Sequence, residues 1–405
     1  MNKKVSIGVC ISLVIIAVAA TFAITMVFSK QIYNGIISNI SQRSQSFDSA
    51  DEINSLIANY YYGDLNEYNN NLGSSLAEGY VNGLNDANSY YMTASEYESY
   101  NNKIENGLTG VGVESFFDFS SNKLIITYVY DGSPAQKEGL KSGDVINRID
   151  GETVRRSNYE KLSEKLFSSK LVSVSVEYTR EDYTKTAQMI SGFAIPSIIS
   201  KTGGTNGYIR IGRFYKNTSE ELDAALASMQ ENGVESVLFD VRNTSEGTIK
   251  YAAQAIDVLS PNNSGYIASA VDKSGKVKET FPTHGTKYNF NYAVLINSST
   301  SGPAELFACD LRDILQAELF GTSTAGVGTM QELFTLDDGS AILLTTALVI
   351  PKNGETAVYD KEGVKPTREV TLLADSNEIL MLSESEDNQL REAMNYLNSN
   401  AVETY

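Results

Sequence analysis

Apolar and polar positions fall into blocks of different period along the chain. Residues 5–28, VSIGVCISLVIIAVAATFAITMVF, carry no charge. As a helix they would extend about 36 Å against a bilayer core of about 30 Å, which predicts one membrane-spanning anchor. A cleaved signal peptide is the alternative, although its apolar region is usually only about 7–15 residues. Lys3 and Lys4 precede the block and Lys30 alone follows it closely. The positive-inside rule therefore predicts 1–4 as a cytoplasmic tail, 5–28 as a single pass through the cell membrane, and an extracytoplasmic bulk. Residues 29–100 space apolar side chains at helical intervals, as in DEINSLIANYYYGDL and LGSSLAEGYVNGL, and predict a polar helical region.

The period then shortens to two. TGVGVESFFDF and KLIITYVY are rich in β-branched and aromatic residues, and SPAQKEGL opens a short helix with Pro134 in its first turn and Gly139 at its end. Tight turns at Gly143–Asp144 and Asp150–Gly151 separate further short strands, so 101–190 predicts a compact domain that is mostly β.

From about 200 to 375 strands and helices alternate. GYIRIGRF, VESVLFDVRN, YAVLINSS and AELFGTST are strand-like; TSEELDAALASMQENG, GTIKYAAQAIDVLS and PAELFACDLRDIL are helix-like. Thr218 and Glu221 have the spacing of a capping box at the start of the first of these helices. Alternation of this kind predicts an α/β layer structure. MQELFTL and AILLTTALVI flank Asp338–Gly339 as a hairpin, and 376–405 reads as an acidic helical tail.

Composition narrows the chemistry. With 50 acidic and 32 basic side chains the net charge is −18, which argues against a nucleic-acid backbone as partner. Cys10 and Cys309 are the two cysteines and His284 is the one histidine, so a disulfide framework, a CxxC metal site and a histidine cluster are excluded, and no metal or cofactor is expected. Any Ser-His-Asp arrangement would have to use His284, which sits in a Pro/Gly/Thr loop. Cys309 reads as a buried thiol within a helix rather than a nucleophile.

Several segments, taken in order, resemble one family. GLNDANSYYMTASEY (83–97), GVGVE with SPAQKEGLKSGDVINRIDG (110–151), GYIRIGRF (207–214), VLFDVRN (237–243), NSSTSGPAELFACDLRD (297–313), FGTSTAGVGTMQ (320–331), GSAILLTTALVIP (339–351) and GVKPTREV (363–370) are similar to the tail-specific, or carboxyl-terminal processing, proteases of peptidase family S41. The resemblance implies an α/β core of the ClpP/crotonase-like kind, an inserted PDZ domain and an N-terminal helical segment. A PDZ domain adds a peptide's C-terminal end as an extra strand and catches its carboxylate on backbone N–H groups. Gly110, Val111, Gly112 and Val113 resemble that carboxylate loop; a tight turn alone is the other reading of the two glycines.

In that family a serine three residues before a glutamate attacks the substrate, and the lysine of a TFGKGxxQ motif is its base. With Glu305 as the glutamate, the resemblance places Gly302 at the nucleophile position. TAGVGTMQ places Val327 at the lysine position, with Gln331 retained. The amide after the serine would donate to the oxyanion, and that position is Pro303, which has no N–H. A second donor comes from a glycine pair, matched here by Glu246 and Gly247.

The resemblance thus implies a membrane-anchored family member that binds C-terminal tails of envelope or secreted proteins but has lost proteolysis. An active serine-type endopeptidase with a displaced nucleophile such as Ser301 is the rival, and a homo-oligomer built on the N-terminal helices is a third reading. An active family relative is a further expected partner; nucleic acid is not.

Overall fold

The computed structural model describes residues 48–261, 265–285, 288–352 and 359–400. The chain divides into two compact units, Met1–Leu76 and Ala77–Tyr405. Helix α1 covers 48–60 and helix α2 covers Leu65–Asn82.

The expected membrane localisation requires correction. Among the described residues no helix is long and apolar enough to cross a membrane, and the predicted span, 5–28, lies outside them. A crossing helix needs about 20 predominantly apolar residues. The 18-residue α2, LNEYNNNLGSSLAEGYVN, is polar along its length.

In the second unit, strand β1 (Tyr90–Met92) leads to α3 (Ala94–Asn106), which begins with a formed capping box: Glu96 N–H donates to Thr93 Oγ1, and Thr93 N–H to Glu96 Oε2. Strand β2 (Leu108–Gly110) then enters the β-rich domain, which comprises β3 (Val113–Asp118), β4 (Lys123–Val129), α4 (Pro134–Lys137), β5 (Val145–Ile149), β6 (Glu152–Thr153), α5 (Tyr159–Glu164), β7 (Ser173–Arg180) and β8 (Tyr183–Ile190). Its sheet runs β3-β4-β5-β7-β8, so β3 is an edge strand. On leaving, β9 (Phe193–Ile195) pairs antiparallel with β2 and closes the neck of the insertion. Val111, Ile126, Ile149, Leu166 and Val176 fill a core that belongs to this domain alone.

The α/β layers follow. They contain β10 (Ile198–Gly203), β11 (Asn206–Ile211), β12 (Arg213–Phe214), α6 (Thr218–Glu231), β13 (Ser236–Asp240), β14 (Glu246–Gly247), α7 (Ile249–Leu259), β15 (Tyr266–Val271), β16 (Val277–Pro282), β17 (Asn291–Ile296), α8 (Pro303–Leu315), β18 (Glu318–Gly321), β19 (Thr329–Thr335), β20 (Ala341–Pro351), β21 (Arg368–Glu369) and α9 (Asn388–Asn400). The main sheet runs β10-β11-β13-β17-β18-β21, parallel except for β10.

Strand residues alternate between its two faces. Val237, Phe239, Val294 and Ile296 pack with α6, α7 and α8, whereas Leu238, Ala293 and Leu295 pack with Ala393 and Leu397 of α9. Each fully buried valine, leucine, isoleucine or phenylalanine among them contributes about 1.5–3 kcal/mol. A second sheet, β1-β20-β15-β16 with β19 beside β20, carries the predicted hairpin over Asp338–Gly339.

Candidate functional site

Strand β17 ends in a turn that its own polar residues build. Thr300 Oγ1 accepts the Asn297 N–H (3.0 Å) and donates to Val241 O (2.9 Å), and Ser301 N–H donates to Thr244 O (2.9 Å). The chain then reverses at Gly302, with φ 55° and ψ −111°, and Pro303 starts α8. That conformation is costly for an L-residue and cheap for glycine. A Cβ on Gly302 would have open space around it, so its strain lies in the backbone and not in packing.

Glu305, fully buried one turn into α8, ties this corner to the loop after β18. Its Oε2 accepts the Gly302 N–H (2.9 Å) and the Val327 N–H (2.7 Å). Its Oε1 accepts the Gly326 N–H (2.6 Å) and the Thr324 hydroxyl. One carboxylate therefore brings together Gly302 and Val327, which are distant in sequence. A buried carboxyl group that accepts several hydrogen bonds is fixed in position by them. The loop could not follow this path with larger residues, since a Cβ on Gly326 or Gly328 would meet the backbone of 360–363 at about 3 Å or less.

No reactive side chain stands at the corner. Gly302 and Pro303 offer none, and Val327 is half-buried and apolar. Its amides are also occupied: Ala304 N–H donates to Ser301 O, and Glu305 N–H and Leu306 N–H to Gly302 O. The Ser301 hydroxyl takes part in no hydrogen bond among the described residues, so no base is seated on it.

The other sequence-derived positions are placed as follows. Gln331 Nε2 donates to Thr329 Oγ1 (3.0 Å) and Thr345 Oγ1 (3.3 Å), within the β19–β20 hairpin. Glu246 and Gly247 form β14 beside β12, and Tyr215 donates its hydroxyl to Glu246 Oε2 (2.5 Å). Burial, with the Glu246 charge second, pushes the Tyr215 hydroxyl well above the usual tyrosine range. Gly247, with φ 121°, lies so close to β12 that a Cβ would meet Phe214 O at 2.1 Å. His284 is exposed and bound to Asp257 (2.7 Å). Burial pushes the Cys309 thiol far up, which suits the buried-thiol reading.

Gly110, Val111, Gly112 and Val113 are all buried at the start of β3. Val111 N–H donates to Leu166 O (2.9 Å) and its carbonyl accepts the Ala135 N–H. A Cβ on Gly110 would meet Leu166 O at 2.3 Å, and one on Gly112, with φ 85°, would meet Ser133 Cβ at 2.2 Å. Both glycines thus serve close approach of the chain to itself. Gly112 N–H has no partner among the described residues.

Residues 107–190 match the family model of the PDZ domain, and residues 205–370 match that of peptidase family S41. The α/β layers thus carry a peptidase family S41 domain and the β-rich insertion a PDZ domain. The chain's fold is the mixed α/β fold of that family with a PDZ domain inserted.

Among curated proteins it is 26% identical to the carboxy-terminal processing protease CtpB of Bacillus subtilis over 334 residues, covering 81% of this chain and 68% of that one. It is 24% identical to a probable CtpA-like serine protease of Staphylococcus saprophyticus, covering 96% and 79% respectively. Among solved structures, the photosystem II D1 C-terminal processing protease matches with 22% identity, a TM-score of 0.48, and coverage of 77% of this chain and 86% of that one.

Three further groups of residues matter that nothing in the sequence singles out. Arg242, fully buried, is held by Asp240 and by Asp387 and Gln389 near the start of α9. Arg213 pairs with Glu114 of the PDZ domain at 2.5 Å. Arg210, lying beside Asp240 in the β11–β13 register, lines two cavities. The signal available was the run of arginines at strand ends, RIGR and VRN, in an acidic chain. Nothing local to those runs names their partners.

Proposed function

We propose that this chain, with its S41 and PDZ domains, binds protein C-terminal tails through the PDZ domain and does not cleave them. The observation that carries the reading is the corner gathered by Glu305. In the family's terms Gly302, Pro303 and Val327 stand where nucleophile, oxyanion donor and base are expected, and no side chain at those positions can attack or accept a proton, nor can Pro303 donate an N–H to an oxyanion. Each such group is commonly worth about 10² or more in rate, and together they account for nearly all of it. Glu246, beside Gly247, adds a carboxylate where negative charge would develop.

Tail binding draws support from the free edge of β3 and the unpaired Gly112 N–H at its start, which together suit an added strand that ends in a carboxylate. Phe117 of β3 stacks on Tyr159 of α5 with centroids 4.3 Å apart, and Phe119 lies against both. This aromatic cluster suits an apolar tail.

The test is turnover of an unfolded protein with an apolar C-terminal tail, by the full chain and by Gly302→Ser with Val327→Lys. The expected result is retention of the tail without cleavage by the natural chain, and binding lost when the tail is amidated. Cleavage by the natural chain, abolished by Ser301→Ala, would overturn the reading in favour of a displaced nucleophile. Cleavage by the double variant alone would show that only the reacting groups were lost.

A further inference from the structure

We infer that the cavity between the β10–β11 edge and the C-terminal segment is a binding site for a monocarboxylate on an apolar stem, received by Arg210. The cavity measures ≈760 Å³, within the range of about 300–1,000 Å³ typical of small-molecule sites. Ile199, Ile379, Leu380, Leu382, Leu390 and Met394 give it an apolar wall. A smaller cavity of ≈170 Å³ shares Ile199, Arg210 and Leu380 with it.

Arg210 is only 7% exposed, and Nη1 has no hydrogen-bond partner. The carboxylate nearest to it, Asp240, stands at 3.5 Å from Nη1. Asp240 is already occupied: Oδ1 accepts from the Arg242 N–H and Nε (both 3.0 Å), and Oδ2 accepts from Arg242 Nη2 (2.7 Å) and the Tyr208 hydroxyl (2.9 Å). A guanidinium carries five donors and cannot be neutralised, so leaving it buried without an acceptor is costly.

The charge balance selects the ligand. Arg242 is met by two carboxylates, Asp240 and Asp387, whereas Arg210 at the cavity shares Asp240 and feels the charge of Glu114, which is itself paired with Arg213. Glu384 and Asp387 line the wall together with Lys201, Arg210, Arg242 and Arg391; with Asp240 against Arg210 and Arg242, the four cations exceed the three carboxylates by one charge, which suits a monoanion better than a dianion. A single carboxylate fits the planar fork of Arg210, and its stem fits the leucine, isoleucine and methionine wall. Such a group is presented by a free medium-chain carboxylic acid and by the last residue of a peptide. The site is separate from the Gly110–Val113 loop, so it stands whether or not the PDZ domain binds tails.

Titration calorimetry of the full chain with octanoate, octanamide, N-acetyl-leucyl-leucine and the amide of that peptide tests the inference. Octanoate is expected to bind and octanamide not to. Arg210→Gln is expected to weaken binding at least about 30-fold, in line with loss of one partner of a buried charge pair. Met394→Trp, which leaves Arg210 in place and fills the apolar wall, is expected to abolish it and guards against a misfolded arginine variant.

Binding of octanoate alone assigns the site to free acids. Binding of both carboxylates, each lost in Arg210→Gln, extends it to peptide ends. Equal binding of acid and amide, binding that survives Arg210→Gln, or no binding of either carboxylate at millimolar concentration would overturn it.

Discussion

Asp310 sits on the buried side of α8, fully covered, with neither carboxylate oxygen hydrogen-bonded. Burial pushes its carboxyl well above the usual range, and the neighbouring Asp313 charge adds to the rise. A group whose folded pKa is raised contributes stability that is complete below its unfolded pKa, near 3.8, and is lost as pH rises through the folded value. The chain should therefore lose stability through this residue as pH rises above about 3.8. Asp310→Asn, which cannot ionise, should gain on the natural chain as pH rises. Urea midpoints of the two proteins at several pH values measure this; parallel curves would refute the assignment. Nothing local marks Asp310 in the sequence, because a charged residue in PAELFACDLRDIL looks like part of a solvated face, and only the folded chain brings Tyr359 near it and buries it.

Elements were more legible than their ends. The alternation of strands and helices, the helix begun by Pro134 and the β19–β20 hairpin follow from period and turn residues alone. The capping box expected at Thr218 does not form. Thr218 lies inside α6 after Asn217, its hydroxyl accepts the Tyr215 N–H (2.9 Å), and Glu221 instead receives the Ser197 and Ile198 amides. A tertiary demand on Glu221 outweighed the local motif.

Period and charge mark 376–405 only as an acidic helical tail, yet Asp387 and Gln389 reach across about 145 residues of sequence to satisfy Arg242. That pairing was invisible to any local pattern. Asp387→Ala leaves Arg242 with one carboxylate in a buried position, and breaking such a pair costs about 3–5 kcal/mol. Chemical unfolding should show a loss of that size; less than about 1 kcal/mol would mean that water or Gln389 replaces the missing group.

At the scale of the whole second unit, an ion pair between buried Arg213 and partly buried Glu114 joins the PDZ edge strand to the strand beside the candidate site. Glu114 of β3 accepts from Arg213 Nη2 (2.5 Å) and from the Tyr130 hydroxyl (2.6 Å), while Arg213 Nη1 donates to Pro196 O (2.9 Å). Arg213 lies on β12, which pairs with Glu246 and Gly247. Burial alone would raise the Glu114 pKa; the Arg213 charge and these hydrogen bonds outweigh it, and the net shift is downward.

A carboxyl with a lowered folded pKa contributes stability above its unfolded pKa, near 4.5, and this is lost as pH falls through the folded value. The PDZ domain keeps its own core, so it can remain folded while its junction with the α/β layers weakens. Differential scanning calorimetry should therefore show unfolding of the two parts coupled at pH 7 and separating in acid. Glu114→Gln, which keeps the shape and removes the charge, should separate them already at pH 7. A variant that unfolds as one cooperative unit at neutral pH would show that the apolar contacts of the neck at β2 and β9, rather than the ion pair, hold the two parts together.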